Sequence, residues 1–135
     1  NVDFTFAVWF YRDTAGATHT LFGKGTNEAI MQLTVGNVIS WSKDGVAEVL
    51  SGAVSTAAWH LAIGYHSGGS WTINLDGTES TGAFAAPATN ANAWAVGGNA
   101  FAGTDYHNGR IGPLMLWKRL LTTAEKTYLR THVLY

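Results

Sequence analysis

GRIGPLMLWKRLL, residues 109–121, runs directly into TTAE, residues 122–125, and this stretch decides the fold. Its apolar residues predict a strand. Thr122, followed three residues later by Glu125, forms a capping box, in which the two side chains satisfy backbone groups left free at a helix start. We therefore predict that a strand leads into a helix over residues 123–132.

The sequence before this ending has the spacing of short strands. Glycine occupies 16 of the 135 positions, so tight turns between strands are expected. Residues 4–11, FTFAVWFY, are apolar on both alternating faces, as in a central strand covered from two sides. Further strands are predicted at residues 21–25, 30–35, 38–41, 46–50, 59–66, 71–75 and 94–97, with a weak strand within 83–93. The predicted class is all-β: a two-sheet antiparallel sandwich with a short C-terminal α-helix, in a single domain over residues 1–135.

Two connections carry specific expectations. Gly36-Asn37 predicts a two-residue hairpin turn in which the glycine takes the positive φ. Residues 98–108 form a loop that is long for a sandwich, and long loops carry function disproportionately.

Five pieces of the sequence follow one another in the order of a known family. They are Phe6–Trp9, Leu21–Gly25, the pair Trp59–Ile63 and Trp71–Gly77, Ala95–Gly98, and the closing segment with Leu120, Leu121 and Glu125. In this order they resemble the laminin G-like domain of the concanavalin A-like lectin/glucanase superfamily. The resemblance implies a jelly-roll sandwich that serves as a binding or adhesion module, often for sugars.

The sequence departs from the family pattern in two places. The family usually opens with a strand about ten residues before the Phe-Thr-Phe segment, pairing near the closing strand, and that strand is missing here. We expect a rearranged sheet edge, or a neighbouring segment or subunit that covers it, because an unpaired edge exposes backbone donors and acceptors. In addition, Gly112-Pro113 stands where the closing strand often carries an acidic pair. Pro113 lacks a ladder donor and predicts a bulge or an edge.

Composition excludes several classes of protein. The formal net charge is −1 and no basic cluster occurs, so nucleic-acid binding is not expected. No stretch reaches the roughly 18 apolar residues of a membrane span. The chain lacks cysteine, which excludes disulfides and thiolate metal sites. Because it begins with Asn1 and shows no signal peptide, we expect a module of a larger extracellular, cell-surface or virion protein.

The acidic residues do not form a pattern typical of hydrolases. Glycoside hydrolysis needs two carboxylates on either side of the scissile bond, and alternate acids on one strand would supply them. None of the nine acids forms such a pair, and Asp76 and Glu79 flank a turn, where we expect them to be solvated. No nucleophile elbow occurs either. We expect a protein without enzymatic activity, in which His60 is structural and His107 is exposed.

The long loop supplies the candidate ligand-binding residues. Sugars have apolar C–H faces and polar rims, so they bind aromatic rings beside amides and carboxylates. In this interpretation Tyr106 or Phe101 stacks on the ligand, while Asn99, Asp105 and His107 form hydrogen bonds. The alternative is an ordinary loop held down by its two aromatic residues. Among the tryptophans, Trp9, Trp59 and Trp117 are expected in the core, while the positions of Trp41, Trp71 and Trp94 stay open.

Calcium is the one metal ion that the resemblance raises, since many laminin G-like modules bind it at one rim. It takes six to eight oxygen ligands. Asp13, Asn99, Asp105 and Asn108 are the available donors, but their spacing matches no ligand pattern. We expect no catalytic residues, no metal and no cofactor.

Three functions stay open on this basis. The leading hypothesis is a noncatalytic recognition module that binds carbohydrate or a protein surface. The alternative is a purely structural virion module, such as a phage capsid-decoration or tail component, which contacts neighbouring subunits or the remainder of a larger chain. An atypical glycoside hydrolase is the third. A recognition module should show an exposed aromatic ring beside polar groups, a structural module a covered sheet edge, and an enzyme two carboxylates in one cleft.

Overall fold

A computed structural model of the chain describes residues 3–24, 28–43, 46–87, 93–99 and 103–132. Over these ranges the chain forms ten strands and one helix. They are β1 (Phe4–Arg12), β2 (His19–Gly23), β3 (Ala29–Leu33), β4 (Val38–Lys43), β5 (Ala47–Ala53), β6 (Ala58–Ser67), β7 (Ser70–Leu75), β8 (Thr78–Ala83), β9 (Ala95–Val96), β10 (Gly109–Trp117) and α1 (Thr123–His132).

The strands form two antiparallel sheets of five strands each. The first sheet has the order β10-β1-β6-β7-β8, and the second has the order β5-β4-β3-β2-β9. This arrangement confirms the predicted all-β jelly-roll sandwich with a short C-terminal helix. In the described part of the chain, no helix has the length and apolar character needed to cross a bilayer.

The helix begins where the capping box places it. The Thr122 amide donates to the Glu125 carboxylate at 2.8 Å, and the Glu125 amide donates to the Thr122 hydroxyl at 3.2 Å. Arg119 clamps the same carboxylate through two hydrogen bonds of 2.9 and 2.6 Å. The pKa of Glu125 falls to about 2, chiefly because of Arg119.

The main core lies between the sheets and centres on two tryptophans left open by the sequence. Trp41 of β4 and Trp71 of β7 are fully buried, with ring centroids 5.1 Å apart. The other buried members of this cluster come from both sheets and, in the case of Val54, from the loop after β5: Phe6, Val8, Phe10, Leu21, Phe22, Ala29, Met31, Leu33, Ile39, Val49, Val54, Ala62, Ile73 and Leu75. Large buried aromatic side chains contribute strongly to the stability of a core, so contact between these two residues stabilises the packing of one sheet on the other.

A second apolar cluster lies on the outer face of the first sheet, beneath α1. Trp9 belongs to it, while Trp59 and Trp117 are only partly buried against it. Its buried members are Ala7, Trp9, Leu61, Ile63, Leu121 and Leu129. The expectation that these tryptophans occupy the core therefore holds for Trp9 but only in part for the other two.

Two local predictions are wrong. The strand predicted within residues 83–93 does not form over 84–87 or at 93, while 88–92 lie outside the described residues. Instead β8 covers Thr78–Ala83, a polar edge strand whose sequence, TESTGA, has no apolar alternation. The β3–β4 turn spans residues 34–37, and the positive φ belongs to Asn37 (63°). Asparagine tolerates this region better than most residues, so glycine is not needed there.

The predicted irregularity at Pro113 is confirmed. Val8 pairs with Leu114 and Phe10 with Ile111, so the register between β1 and β10 shifts across Gly112-Pro113. No described strand pairs with the other side of β10, which forms one edge of the first sheet.

Candidate functional site

The long loop lies at the end of the sandwich where β1 finishes. We call it the rim loop; the structure describes its residues 98–99 and 103–108. Backbone hydrogen bonds attach it to β2 and to the end of β1. They run from Gly97 N to Leu21 O (3.0 Å), from Thr20 N to Asp105 O (2.7 Å), from His107 N to Gly97 O (2.9 Å) and from Asp13 N to Asn108 O (3.3 Å). These hydrogen bonds thus hold the rim loop against the strands.

Tyr106 presents its ring at the surface of this loop. The residue is 67% exposed, and the ring rests on Gly98, where an added Cβ would lie 2.9 Å from the ring. A cleft of about 220 Å³ lies beside it, lined by Ala95, Val96, Gly97, Gly98, Asn99, Gly103 and Tyr106. The structure therefore brings Tyr106 and Asn99 together as lining residues of one cleft.

The other predicted residues have different surroundings. Asp105 takes a left-handed backbone conformation (φ 56°) and uses its carbonyl to hold β2, but it does not line the cleft. Asn99 pairs with Thr104 through its backbone. Phe101 lies outside the described residues, so its part in the site stays a prediction.

His107 points inward, and the expectation that it is exposed is wrong. Its Nε2 donates to the Tyr11 carbonyl at 3.0 Å. Its Nδ1 is buried without a hydrogen-bond partner among the described residues. Burial lowers the pKa of His107, and His19 lowers it further, while the carbonyls of Tyr11 and Arg110 and the charge of Asp13 act in the opposite direction. The histidine therefore anchors the loop from below.

His19 anchors the same loop and was missed from sequence. Its Nδ1 donates to the Tyr106 carbonyl at 2.8 Å, and its ring centroid lies 5.9 Å from that of His107. The side chain is buried on β2. Because the two histidines are 88 positions apart in the sequence, only the fold brings them beneath Tyr106.

A buried arginine joins the neighbouring loops at this end of the sandwich. Arg12 is fully buried, and its guanidinium donates to the carbonyls of Thr14 (2.9 Å) and Val54 (3.0 Å) and to Oδ1 of Asn37 (2.6 Å). Burial lowers its pKa. Neutral oxygens thus satisfy the cation, which ties three connecting segments together.

The oxygen donors considered for calcium do not assemble. Asp13 lies 4.0 Å from the guanidinium of Arg110, and the Asn108 amide donates to Thr14 at 3.1 Å. Among the described residues, no three or more His, Asp or Glu side chains converge. This donor set does not fit the six to eight oxygen ligands of calcium, and we derive no calcium-dependent step.

His60 contacts both a serine and an aspartate, as the histidine of a catalytic triad does, but it does not line the rim cleft. Nδ1 of His60 donates to Asp76 at 2.7 Å, while Nε2 lies 3.1 Å from both the hydroxyl and the carbonyl of Ser55. A carbonyl only accepts hydrogen bonds, so Nε2 faces it as a donor. Asp76 raises the pKa of His60. A general base needs a free Nε2 lone pair, and these contacts instead favour an imidazolium that ties two segments together.

A larger cleft separates α1 from β7 and β8. We call it the helix cleft; its volume is about 430 Å³, and its lining is Leu61, Asn74, Gly77, Glu79, Thr123, Lys126, Thr127 and Arg130. Glu79 is exposed, as expected of it, but it accepts hydrogen bonds from Lys126 (2.6 Å) and Asn74 (3.1 Å). Sequence reasoning missed this cleft because its two walls come from segments about 50 residues apart.

Trp94 borders a third, mostly apolar groove of about 290 Å³. It is 47% exposed, and its ring lies 5.0 Å from that of Phe6. The Lys24 ammonium lies 5.6 Å from the Trp94 ring centroid. Leu116 of β10, half-exposed, lines the same groove.

A laminin G-like family profile, described as the concanavalin A-like lectin/glucanases superfamily, matches residues 1–125. No curated protein matches the sequence significantly.

Several solved structures share the fold at low sequence identity. A suspected carbohydrate-binding protein from Bacteroides ovatus is 15% identical (TM-score 0.77) over 98% of this chain and 41% of that protein. The sialidase of Trypanosoma rangeli is 16% identical (TM-score 0.73) over 96% of this chain and 22% of the sialidase. Domains LG4-5 of the mouse laminin α1 chain are 14% identical (TM-score 0.69) over 85% and 35%. The chain therefore spans less than half the length of each.

Proposed function

Because the chain belongs to the concanavalin A-like lectin/glucanases superfamily, we propose that it is a noncatalytic recognition module that binds carbohydrate through the rim loop. The fold is lectin-like, and the solved structures that share it include a suspected carbohydrate-binding protein. These likenesses support the class of ligand. The residues proposed to bind the ligand are inferred from the surface of this chain alone.

The exposed ring of Tyr106 beside the rim cleft is the observation that carries the proposal. An aromatic ring that already packs against the backbone loses little conformational freedom when a sugar stacks on it. Gly98 lies against the ring, and Asn99, whose side chain is an amide, lines the same cleft. In the proposed mechanism Tyr106 contacts the C–H face of a sugar, and Asn99 bonds to its hydroxyl groups.

The sequence predicts that His107 and Asp105 form hydrogen bonds with the ligand, but their contacts favour a role in holding the rim loop. Both bond to the sheet, the first through its imidazole and the second through its backbone carbonyl. We propose that they position the loop, while Phe101 is a further candidate for stacking. Rigid positioning reduces the entropy lost on binding, and this increases affinity.

The distribution of carboxylates supports a function without catalysis. Each described cleft is lined by at most one acidic side chain, and Tyr106's cleft by none. Glycoside hydrolysis uses two carboxylates about 5–10 Å apart across the substrate.

We also propose that this binding module is part of a longer extracellular, cell-surface or virion protein. Several copies of the module in one assembly would strengthen a weak single-site interaction.

A glycan array probed with the tetramerised domain tests the proposal. Tyr106→Ala should lower the apparent affinity for every bound neutral glycan by about tenfold or more, the effect of losing about 1.4 kcal/mol of contact. Tyr128→Ala is the matched control, because Tyr128 is 58% exposed on α1 and stacks on His132 instead. Equal binding by the two variants, or no binding by the folded wild type, would contradict the proposal.

A further inference from the structure

The helix cleft is larger than both the rim cleft and the groove beside Trp94, and the proposed function does not use it. Its volume of about 430 Å³ lies within the roughly 300–1,000 Å³ of small-molecule sites. It lies on the outer face of the first sheet, whereas Tyr106 lies on the rim. A ligand in one of these places would not displace a ligand in the other.

The floor of the helix cleft is a fixed polar side chain. Asn74 is only 7% exposed, and both ends of its amide are held: Nδ2 donates to Glu79 at 3.1 Å, and Oδ1 accepts the Gly77 amide at 3.0 Å. A buried amide with its partners in place holds Glu79 in one position. These two hydrogen bonds therefore fix the Asn74 and Glu79 side chains on the floor of the cleft.

Lys126 is fixed in the same network. Its ammonium lies 2.6 Å from Glu79 and 3.5 Å from the Tyr65 hydroxyl, and it sits 4.7 Å from the centre of the Tyr65 ring. Its side chain is only 16% exposed. The contact with Glu79 raises the pKa of Lys126 despite its burial, so the amine carries its charge at neutral pH. A fully solvent-exposed lysine would lack these contacts with a carboxylate and an aromatic ring.

Arg130 is seated over the β7–β8 turn at the mouth of the cleft. Its Nη1 donates to the Asp76 carbonyl at 3.1 Å. Gly77 leaves room for this contact, because a Cβ there would overlap Nη1 of Arg130. The guanidinium has five N–H donors, of which one forms this hydrogen bond.

The charges that line the cleft favour an anion. Lys126 and Arg130 face a single lining carboxylate, that of Glu79, because the carboxylate of Asp76 is bound by His60 and by the Leu61 amide. Thr123 and Thr127, whose side chains carry hydroxyl groups, also line the cleft. An oxyanion accepts hydrogen bonds from such groups, and arginine binds carboxylate or sulfate through two parallel N–H donors.

From these contacts we propose that the helix cleft is a second binding site, which holds the anionic group of an acidic carbohydrate. Carboxylate and sulfate share the required chemistry. That the anion is part of a carbohydrate rests on the proposed function; the site for the anion rests on the cleft alone. The chain as a whole carries a formal net charge of −1, so attraction would be local and should weaken as salt is added.

Titration followed by amide NMR tests the site, with a glucuronate oligosaccharide, a sulfated oligosaccharide and a neutral oligosaccharide as probes. The acidic probes should shift signals of α1 and β8, and the difference between the two acids identifies the preferred group. Arg130→Gln should weaken that binding by about tenfold or more, because a charge-assisted hydrogen bond is lost. Lys118→Gln removes one positive charge from an exposed position outside this cleft and should leave binding unchanged.

Two outcomes would overturn the inference. One is the absence of shifts in α1 and β8 with both acids. The other is an equal loss in Arg130→Gln and Lys118→Gln, since this would indicate attraction by net charge only. Arg130 is exposed, so its variant should unfold at the wild-type temperature. Tyr106→Ala should retain acid binding in the helix cleft, and failure of the rim proposal therefore stays distinguishable from failure here.

Discussion

Asp76 holds His60 through one carboxylate oxygen and β6 through the other. Oδ2 accepts Nδ1 of His60 at 2.7 Å, and Oδ1 accepts the Leu61 amide at 2.8 Å. On its far side the imidazole faces the Ser55 carbonyl at 3.1 Å. One histidine thus joins the loop before β6 to the turn between β7 and β8.

This pair predicts a stability that falls as the pH rises. The pKa of His60 is raised in the folded protein, chiefly by the hydrogen bond to Asp76. The stabilisation is fully present below the unfolded value of about 6.5 and is lost as the pH passes through the raised folded value. In His60→Gln we expect the free energy of unfolding to decrease by about 1–3 kcal/mol at pH 5.5, and by less at pH 8.5. Urea unfolding at both pH values measures this, and an equal decrease at both would contradict it.

His107 predicts the opposite pH dependence. Burial lowers its pKa in the folded protein, so the unfolded chain takes up the proton first as the pH falls. Its contribution is therefore present above pH 6.5 and is lost as the pH decreases toward the lowered value. We expect hydrogen exchange at the Thr20 and His107 amides, which hold the rim loop, to accelerate between pH 6.5 and 5 after correction for intrinsic rates.

The matched variant for that experiment is His107→Gln, which removes the titration but retains a donor side chain. Its loop protection should change less over the same pH interval than that of the wild type. If both proteins lose protection alike, another group controls the loop.

The two sheets approach each other closely at Gly64, so a larger residue there should destabilise the protein. An added Cβ would lie 2.8 Å from both Met31 and the Trp41 indole, so Gly64→Ala should lower the free energy of unfolding by about 1–3 kcal/mol through overpacking. Gly52→Ala on β5 serves as the control, because a Cβ there meets nothing within 4 Å. Thermal and urea unfolding of both variants provide the measurement. Equal stability of the two would mean that the core adapts at no cost.

The parts of the fold that sequence predicts are those encoded by near neighbours. The start of the helix follows from Thr122 and Glu125, three positions apart, and the long strands follow from their apolar residues. β8 was missed because an exposed edge strand needs no apolar face. The central place of Trp41 and Trp71 was left open, since it depends on how the two sheets face each other.

The candidate sites likewise combine features that the local sequence predicts with features that depend on long-range packing. A long loop with an exposed tyrosine is visible in sequence, but the inward direction of His107 depends on the Tyr11 carbonyl, 96 positions away. The helix cleft depends on α1 lying across β7 and β8, which brings Lys126 to Glu79 over 47 positions. Contacts of this range arise from packing and leave no local pattern.

The register of β1 has a consequence for how the domain would display its ligand. Phe4 pairs with His66 at one end of the strand, while Arg12 pairs with Gly109 at the other, beside the rim loop. Nine residues of strand separate these ends by roughly 26 Å at 3.3 Å per residue. A stalk or neighbouring domain that leads into Phe4 would therefore join the sandwich at the pole opposite Tyr106, leaving the tyrosine facing outward, clear of the attachment.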